Sequence, residues 1–300
     1  MALSSEPTRC GFCAIIGAPN AGKSTLVNQL AGSKVSIVSH KVQTTRARIR
    51  AIALEGNTQI VLVDTPGIFK PKRKLDRAMV ENAWSGAGDA DAAVLLIDGR
   101  PGLTEEAKAL IEGLAAARKD AMLVINKIDV MKREQLLEVA AAFNAAYPFS
   151  ETFMVSALSG AGTDDLRKAI ARRMPEGPWL YPEDQVADLQ LRFMAAEMTR
   201  EKIYDRLHDE LPYASTVETE SWEERPDGSV KIHQAIFVER DSQKAIVLGK
   251  GGQTVKLIGQ LARADMEREF GRKVHLFLFV KVREGWAEDT ERLRAMGLDV

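Results

Sequence analysis

Nine consecutive residues constrain this chain more than any others: Gly17-Ala18-Pro19-Asn20-Ala21-Gly22-Lys23-Ser24-Thr25. They satisfy the pattern G-x-x-x-x-G-K-[ST], follow directly on the apolar run 12–16, and lead into a helical pattern carrying Leu26 and Leu30. A strand, a glycine-rich turn and a helix in that order wrap backbone N–H groups around an anion. The positive end of the helix dipole then points at the same anion. The pattern therefore predicts a phosphate-binding loop at the edge of a parallel sheet. Lys23 is expected to reach the β- and γ-phosphates of a nucleotide, and the Ser24 hydroxyl to bind Mg2+.

A phosphate loop leaves the base open, and Asn126-Lys127-Ile128-Asp129 closes that question. A carboxylate at Asp129 accepts two hydrogen bonds from the N1–H and exocyclic amine of guanine. Adenine has no such donor pair and would leave the carboxylate unpaired. Asn126 is expected to contact guanine N7, and the Lys127 stem to cover the base. Ser156-Ala157 follows the strand-like run 152–155 and is placed for the Ala157 N–H to meet guanine O6. Between these segments, Asp64-Thr65-Pro66-Gly67 follows the apolar run 60–63. Asp64 at a strand end is expected to hold Mg2+ through water, and the Gly67 N–H to meet the γ-phosphate. Thr45 is the favoured second Mg2+ hydroxyl, with Thr44 as the alternative. These pieces in this order predict a domain that binds GTP and GDP.

Strand-like and helical patterns alternate up to about residue 182, which predicts an α/β domain with a mostly parallel, doubly wound sheet. The turn signal Glu55-Gly56-Asn57 joins two adjacent strand runs, 49–54 and 60–63, and adds one antiparallel edge strand. Residues 174–182 contain three prolines and a glycine and read as a linker, with Trp179 and Tyr181 expected to pack on a domain surface. Domain limits follow: 1–182 for the GTP-binding part, 183–286 for a second domain, and a tail over 287–300.

The second part has a different rhythm: a long helix over 189–211, strands over 216–224 and 230–238, a short apolar segment over 245–248, a helix over 253–270 and a strand over 274–280. Gly249-Lys250-Gly251-Gly252 lies between the last two helical segments. Helix, strand, strand, helix, helix, strand with G-x-x-G between the paired helices is the order of a small α+β KH domain of type II. In such a domain the tight turn grips single-stranded RNA. Charge agrees: residues 242–281 hold eight Lys or Arg against three acids, and residues 205–227 hold eight acids against two arginines. Lys250, Lys256 and Arg263 are the expected RNA contacts, beside the three clamp glycines.

Net charge is −1, so overall charge selects no partner. The longest apolar run, 92–97, is too short to span a bilayer, and residues 1–8 show no secretion signal, so a cytoplasmic location is expected. Cys10 and Cys13 form a C-x-x-C, but no second Cys or His pair accompanies them; Cys13 fits as a small buried residue at the start of the first strand and Cys10 as a residue just before it.

The chain resembles the Era GTPases from about residue 12 to residue 286. The specific pieces are the loop at 17–25, Gln43-Thr44-Thr45-Arg46, Asp64-Thr65-Pro66-Gly67, Arg200-Glu201-Lys202, Glu210-Leu211-Pro212-Tyr213, the glycine clamp and Val280-Lys281-Val282. The resemblance implies a GTPase of small ribosomal subunit assembly. Its KH domain is expected to bind 16S ribosomal RNA near the 3′ end, with peripheral association at the inner membrane and a monomeric state. In similar GTPases an asparagine matching Asn20 helps to hold a K+ ion; a loop-shaping role for Asn20 stands beside that reading.

The position after Gly67, where Ras-type enzymes place a water-orienting Gln, is Ile68, so hydrolysis is expected to be slow and the water placed by other means. Basic stretches at 34–50 and at 70–74 overlap the two expected switches and are placed to touch RNA or the second domain. The rival reading makes the second domain a protein- or membrane-binding adaptor. A translation factor is disfavoured, since no run of short barrel strands follows the GTP-binding part.

Overall fold

The computed structural model describes residues 7–39, 41, 45–46, 49–68, 74–118, 120–183, 185 and 191–291. They divide into two compact units, one on either side of residue 188, with residues 37–44 grouped in the second.

The first unit runs β1 (Arg9–Ile16), α1 (Lys23–Ala31), β2 (Ile49–Glu55), β3 (Thr58–Asp64), α2 (Lys74–Asp89), β4 (Ala92–Asp98), α3 (Glu105–Ala116), β5 (Ala121–Asn126), α4 (Arg133–Ala146), β6 (Thr152–Met154) and α5 (Thr163–Arg173). Its six-stranded sheet has the order β2-β3-β1-β4-β5-β6. Only β2 is antiparallel, paired with β3 through the Gly56 turn. Strands of such a sheet are buried on both faces, and their apolar runs divide between two cores. On β4, Ala92, Val94 and Leu96 face one core while Ala93, Leu95 and Ile97 face the other. Leu26, Val27 and Leu30 of α1 and Leu166 and Ile170 of α5 fill the first. Leu110, Ile111 and Leu114 of α3 and Phe143 of α4 fill the second.

This topology fixes where a ligand sits. From β1 the chain crosses to β2 and β3 on one side, then returns to β4 on the other. β1 is therefore the switch point, and its carboxyl end opens the crevice where open α/β sheets bind ligands. The phosphate loop leaves β1 at that point.

The segment 174–182 packs on the first unit. Trp179 Nε1 donates to the Asn57 carbonyl at 3.0 Å, and the N–H groups of Leu180 and Tyr181 share Gln59 Oε1 at 2.9 and 3.0 Å. Cys10 and Cys13 are buried on β1, and burial pushes the Cys13 thiol up to about 12. A thiol so reluctant to ionise is a packing residue.

The second unit contains α6 (Leu191–Arg206), β7 (Ser215–Glu224), β8 (Val230–Val238), α7 (Asp241–Leu248), α8 (Gln253–Phe270) and β9 (Val274–Val282). β8 is the central strand, antiparallel to β7 and parallel to β9. Ile203 of α6, Val247 of α7 and Ile258 of α8 pack with Val217, Ile236 and Val280 on one face of the sheet. Val38 N–H also joins this unit, donating to Glu201 Oε1 of α6 at 2.9 Å. The short apolar segment over 245–248 proves to be the second half of α7. The helix expected over 189–211 ends at Arg206, and its first two residues lie outside those described. Asp209 adopts φ 53, a left-handed conformation that no helix continues through, and Pro212 has no N–H to extend one.

Candidate functional site

The phosphate loop closes through contacts that only small residues allow. Gly22 has φ 100, and a Cβ there would lie 2.3 Å from Asn126 Nδ2. That clearance lets Asn126 reach the loop. Its Nδ2 donates to the Ala21 carbonyl at 2.8 Å, while its Oδ1 accepts from Ala157 N–H at 2.9 Å. The side chain thus fastens the phosphate loop, the β5 end and the Ser156-Ala157 segment together. The Ala157 N–H expected at guanine O6 is engaged by Asn126 in this arrangement, and the second N–H of Nδ2 is what remains for a base. Ser156 is buried and its hydroxyl accepts from Ser159 N–H at 3.3 Å.

Lys127 joins two further pieces. Its Nζ donates to the Asn20 carbonyl and to Asp98 Oδ2, each at 2.8 Å. Burial alone would raise the Asp98 carboxyl, but bonds from Arg100 and Lys127 hold it well below the usual carboxylate range. Asp98 was missed by motif reading; its one signal was an acid closing the apolar run of β4. Asp129 lies exposed on the short turn Ile128–Val130, directly after the β5 end. Asn20 itself adopts φ 62.

Lys23 is buried, and its Nζ donates to the carbonyls of Gly17 and Ala18 at 3.0 and 2.9 Å. Burial pushes the ammonium down to about 8, with Asp64 opposing the shift. A bound phosphate would raise it again, so nucleotide binding takes up a proton once the pH exceeds the depressed value. GDP affinity is therefore expected to fall between pH 7.5 and pH 9, on the order of five- to tenfold. A fluorescent-GDP titration reads this directly; flat affinity over that range would mean that the ammonium keeps its proton.

The donors expected at Mg2+ come together. Ser24 Oγ and Thr45 Oγ1 are 2.8 Å apart, and Thr45 Oγ1 is 3.4 Å from Asp64 Oδ2. Asp64 is fully buried, and its Oδ1 has no hydrogen-bond partner among the described residues. Burial raises the Asp64 carboxyl, opposed by a bond from Ser36 and by the Lys23 charge. Two hydroxyls and an orphaned carboxylate oxygen are a hard-oxygen set. Adjacent ligands of an octahedral Mg2+ at about 2.1 Å lie roughly 3 Å apart, so the 2.8 Å between Ser24 Oγ and Thr45 Oγ1 fits that ion, with Asp64 beside them to reach it through water. Thr44 lies outside the described residues, as do Gln43, Arg48 and the basic residues at 70–73.

The neighbouring loop residues have structural ties. Thr65 Oγ1 donates to the Ile15 carbonyl at 2.7 Å, joining β3 to β1. Ile68 N–H donates to the Gly17 carbonyl at 3.2 Å, and its half-buried side chain packs against the second core. Pro66 and Gly67 are buried beside the phosphate loop, with Gly67 in close approach to Pro19. Thr25 occupies the first turn of α1.

In the second unit the clamp joins α7 to α8. Gly249, Gly251 and Gly252 have φ of 70, 60 and 77, and a Cβ on Gly249 would lie 2.1 Å from Thr254 Oγ1. Lys250 is exposed at its tip. Behind it, Val255, Lys256, Gly259, Gln260 and Arg263 of α8 face Leu276 and Leu278 of β9 across a groove of about 310 Å3. The charge pattern is more divided than sequence suggested. Arg272 pairs with Glu224 and Lys281 with Glu220, so part of the acidic stretch neutralises part of the basic one. Lys250, Lys256 and Arg263 form no ion pair among the described residues and remain at the clamp and groove.

Comparisons with known proteins cover both parts of the chain. Residues 12–127 match the family described as 50S ribosome-binding GTPase, and residues 210–287 match the KH domain. GTPase Era of Afipia carboxidovorans is 65% identical over 98% of this chain and 96% of its own length. GTPase Era of Rhizobium meliloti is 60% identical over 99% and 95%. A crystal structure of Era in complex with MgGDPNP and nucleotides 1506–1542 of 16S ribosomal RNA superposes with a TM-score of 0.93 at 37% identity, covering 98% of this chain and all of that one. An Aquifex aeolicus Era variant bound to GDP and AlF4− gives the same score at 36% identity and equal coverage. With a relative of such identity aligned over nearly its whole length, the chain belongs to the Era family of GTPases.

Proposed function

We propose that this chain is a GTP-hydrolysing switch that binds 16S ribosomal RNA near its 3′ end and acts in small ribosomal subunit assembly. The observation that carries the reading is the pairing, in one chain, of the guanine and phosphate set with a glycine clamp flanked by Lys250, Lys256 and Arg263. The likeness to Era solved with MgGDPNP and a 16S fragment supports it at both ends. In this reading residues 1–182 bind and hydrolyse GTP, residues 174–182 link, residues 183–286 hold RNA, and 287–300 form a tail. Ser24, Thr45 and Asp64 serve Mg2+, and Asp129 reads guanine. Crosslinking the protein to small-subunit RNA and sequencing the bound fragments tests it. Fragments from the 3′ end are expected; fragments drawn evenly from the whole molecule would overturn the reading.

A cytoplasmic location, a monomeric state and peripheral contact with the inner membrane belong to the same proposal, resting on the family resemblance. Among the described residues no helix is long and apolar enough to cross a membrane.

K+ at Asn20 completes the proposal for hydrolysis, because Ile68 has no polar atom to orient water or neutralise charge. The φ of 62 at Asn20 serves the loop-shaping role as well, so the test must separate the two. Asn20→Gly removes the side chain while tolerating the left-handed backbone, whereas alanine there would cost about 1 kcal/mol in strain. Hydrolysis by the natural protein is expected to run faster in KCl than in NaCl at matched ionic strength. Asn20→Gly is expected to erase that difference. A K+ advantage that survives in the variant leaves only the loop-shaping role.

A further inference from the structure

The two oxygens of Asp64 have unlike surroundings. Oδ2 accepts from Ser36 Oγ at 2.6 Å, whereas Oδ1 is buried without a partner among the described residues. Ser36 is itself buried and held from behind by one side chain of α1. Asn28 Oδ1 accepts from the N–H groups of Val35 and Ser36 at 2.9 and 2.8 Å, and Asn28 Nδ2 donates to the Ser36 carbonyl at 2.7 Å. Three bonds from one amide fix the backbone at residue 36, so the hydroxyl has a defined origin beside Asp64. Neither Asn28 nor Ser36 falls in any of the nucleotide motifs.

A carboxylate rotates about its last torsion with a broad, nearly two-fold preference, so an untethered Asp64 has no fixed oxygen for a metal. We propose that Ser36, held by Asn28, is a positioning residue for Mg2+. By holding Oδ2, which also lies 3.4 Å from Thr45 Oγ1, it fixes the last torsion of Asp64 and so the place of both carboxylate oxygens beside Thr45. The proposal rests on reading Asp64 as the Mg2+ carboxylate. Outer partners that orient a metal's carboxylate typically change metal affinity ten- to a hundredfold when removed.

The test is a Mg2+ titration of fluorescent-GDP binding to the full chain, repeated with Mg2+ removed by EDTA, for five proteins. These are the natural chain, Ser36→Ala, Ser36→Thr, Asn28→Ala and Asp64→Asn. Ser36→Ala is expected to raise the half-saturating Mg2+ concentration about tenfold. Asn28→Ala, which keeps the hydroxyl but frees its backbone, is expected to shift it in the same direction by less. Restoring the hydroxyl with Ser36→Thr should return the Mg2+ requirement towards the natural value. Asp64→Asn is expected to shift it most. If Asp64→Asn moves the requirement and both Ser36→Ala and Asn28→Ala leave it in place, the positioning role is overturned. Equal losses of GDP affinity with and without Mg2+ in Ser36→Ala would overturn it too, leaving a packing role. If Asp64→Asn itself changes nothing, the reading of Asp64 fails, whatever Ser36 does.

Discussion

Asp129→Asn is expected to lower GTP affinity and to make xanthosine triphosphate the better ligand. The carboxylate lies on the turn after β5, exposed, beyond the β5 end that Asn126 and Lys127 fasten to the phosphate loop. Its position relative to the phosphates is therefore set by two side-chain cross-links, and the substitution leaves both intact. Asparagine replaces one acceptor oxygen by an NH2 donor, which faces the guanine amine donor-to-donor. The 2-oxo group of xanthine accepts from that donor, so the loss for guanine becomes a gain for xanthine. Removing a charge-assisted bond costs on the order of 2–3 kcal/mol. That is roughly a 30- to 150-fold loss in GTP affinity. Competition of GTP and xanthosine triphosphate for a fluorescent nucleotide measures both shifts in one experiment. Equal GTP binding by variant and natural protein would remove Asp129 from the base site.

The parts of the molecule that were legible in sequence are those in which local pattern and chemistry coincide. Gly22 and Lys23 sit where their motif placed them because a phosphate loop is defined by contiguous residues. The alternation on β4 was legible as an unbroken apolar run, and the run is unbroken because each face of that strand has its own core. Less legible were side chains that act across long separations. Ser36 meets Asp64 only because Asn28 pins the chain after α1, and nothing in the local sequence of Ser36 marks it. Asn126 reads as a base contact from its motif, and its added ties to Ala21 and Ala157 carry no signal there. Charge counting is silent on pairing for a related reason. Arg272 and Lys281 are among the cations counted over 242–281, and pairing of β8 with both β7 and β9 brings them against Glu224 and Glu220. The end of α6 was misjudged because Asp209, whose left-handed backbone stops the helix, is an acid that sequence pattern alone leaves helical.

Replacing Lys250 and Gly251 together by Asp is expected to weaken RNA binding at least tenfold while leaving GTP affinity in place. The clamp turns within four residues because three glycines take positive φ, and that turn keeps the backbone bare where a nucleic-acid backbone can lie against it. Lys250 stands at the tip and the N-terminus of α8 follows, so a phosphate there meets a cation and a helix dipole end. The double variant exchanges one positive charge for a negative one and adds a second carboxylate beside it. Asp tolerates the φ of 60 at residue 251 better than most residues, at a backbone cost of about 1–2 kcal/mol, so the effect on binding is mainly electrostatic. Gly251→Asn carries a similar strain without charge and measures that contribution separately. The phosphate contribution to binding falls with salt, so the deficit of the double variant should narrow as KCl is raised, and Gly251→Asn should show a smaller, flatter loss. The measurement is affinity for a single-stranded oligonucleotide from the 3′ end of 16S ribosomal RNA at two salt concentrations. If the double variant binds that RNA as tightly as the natural protein, the RNA reading of the second unit fails. An adaptor role, with a protein or membrane surface at the clamp face, then takes its place.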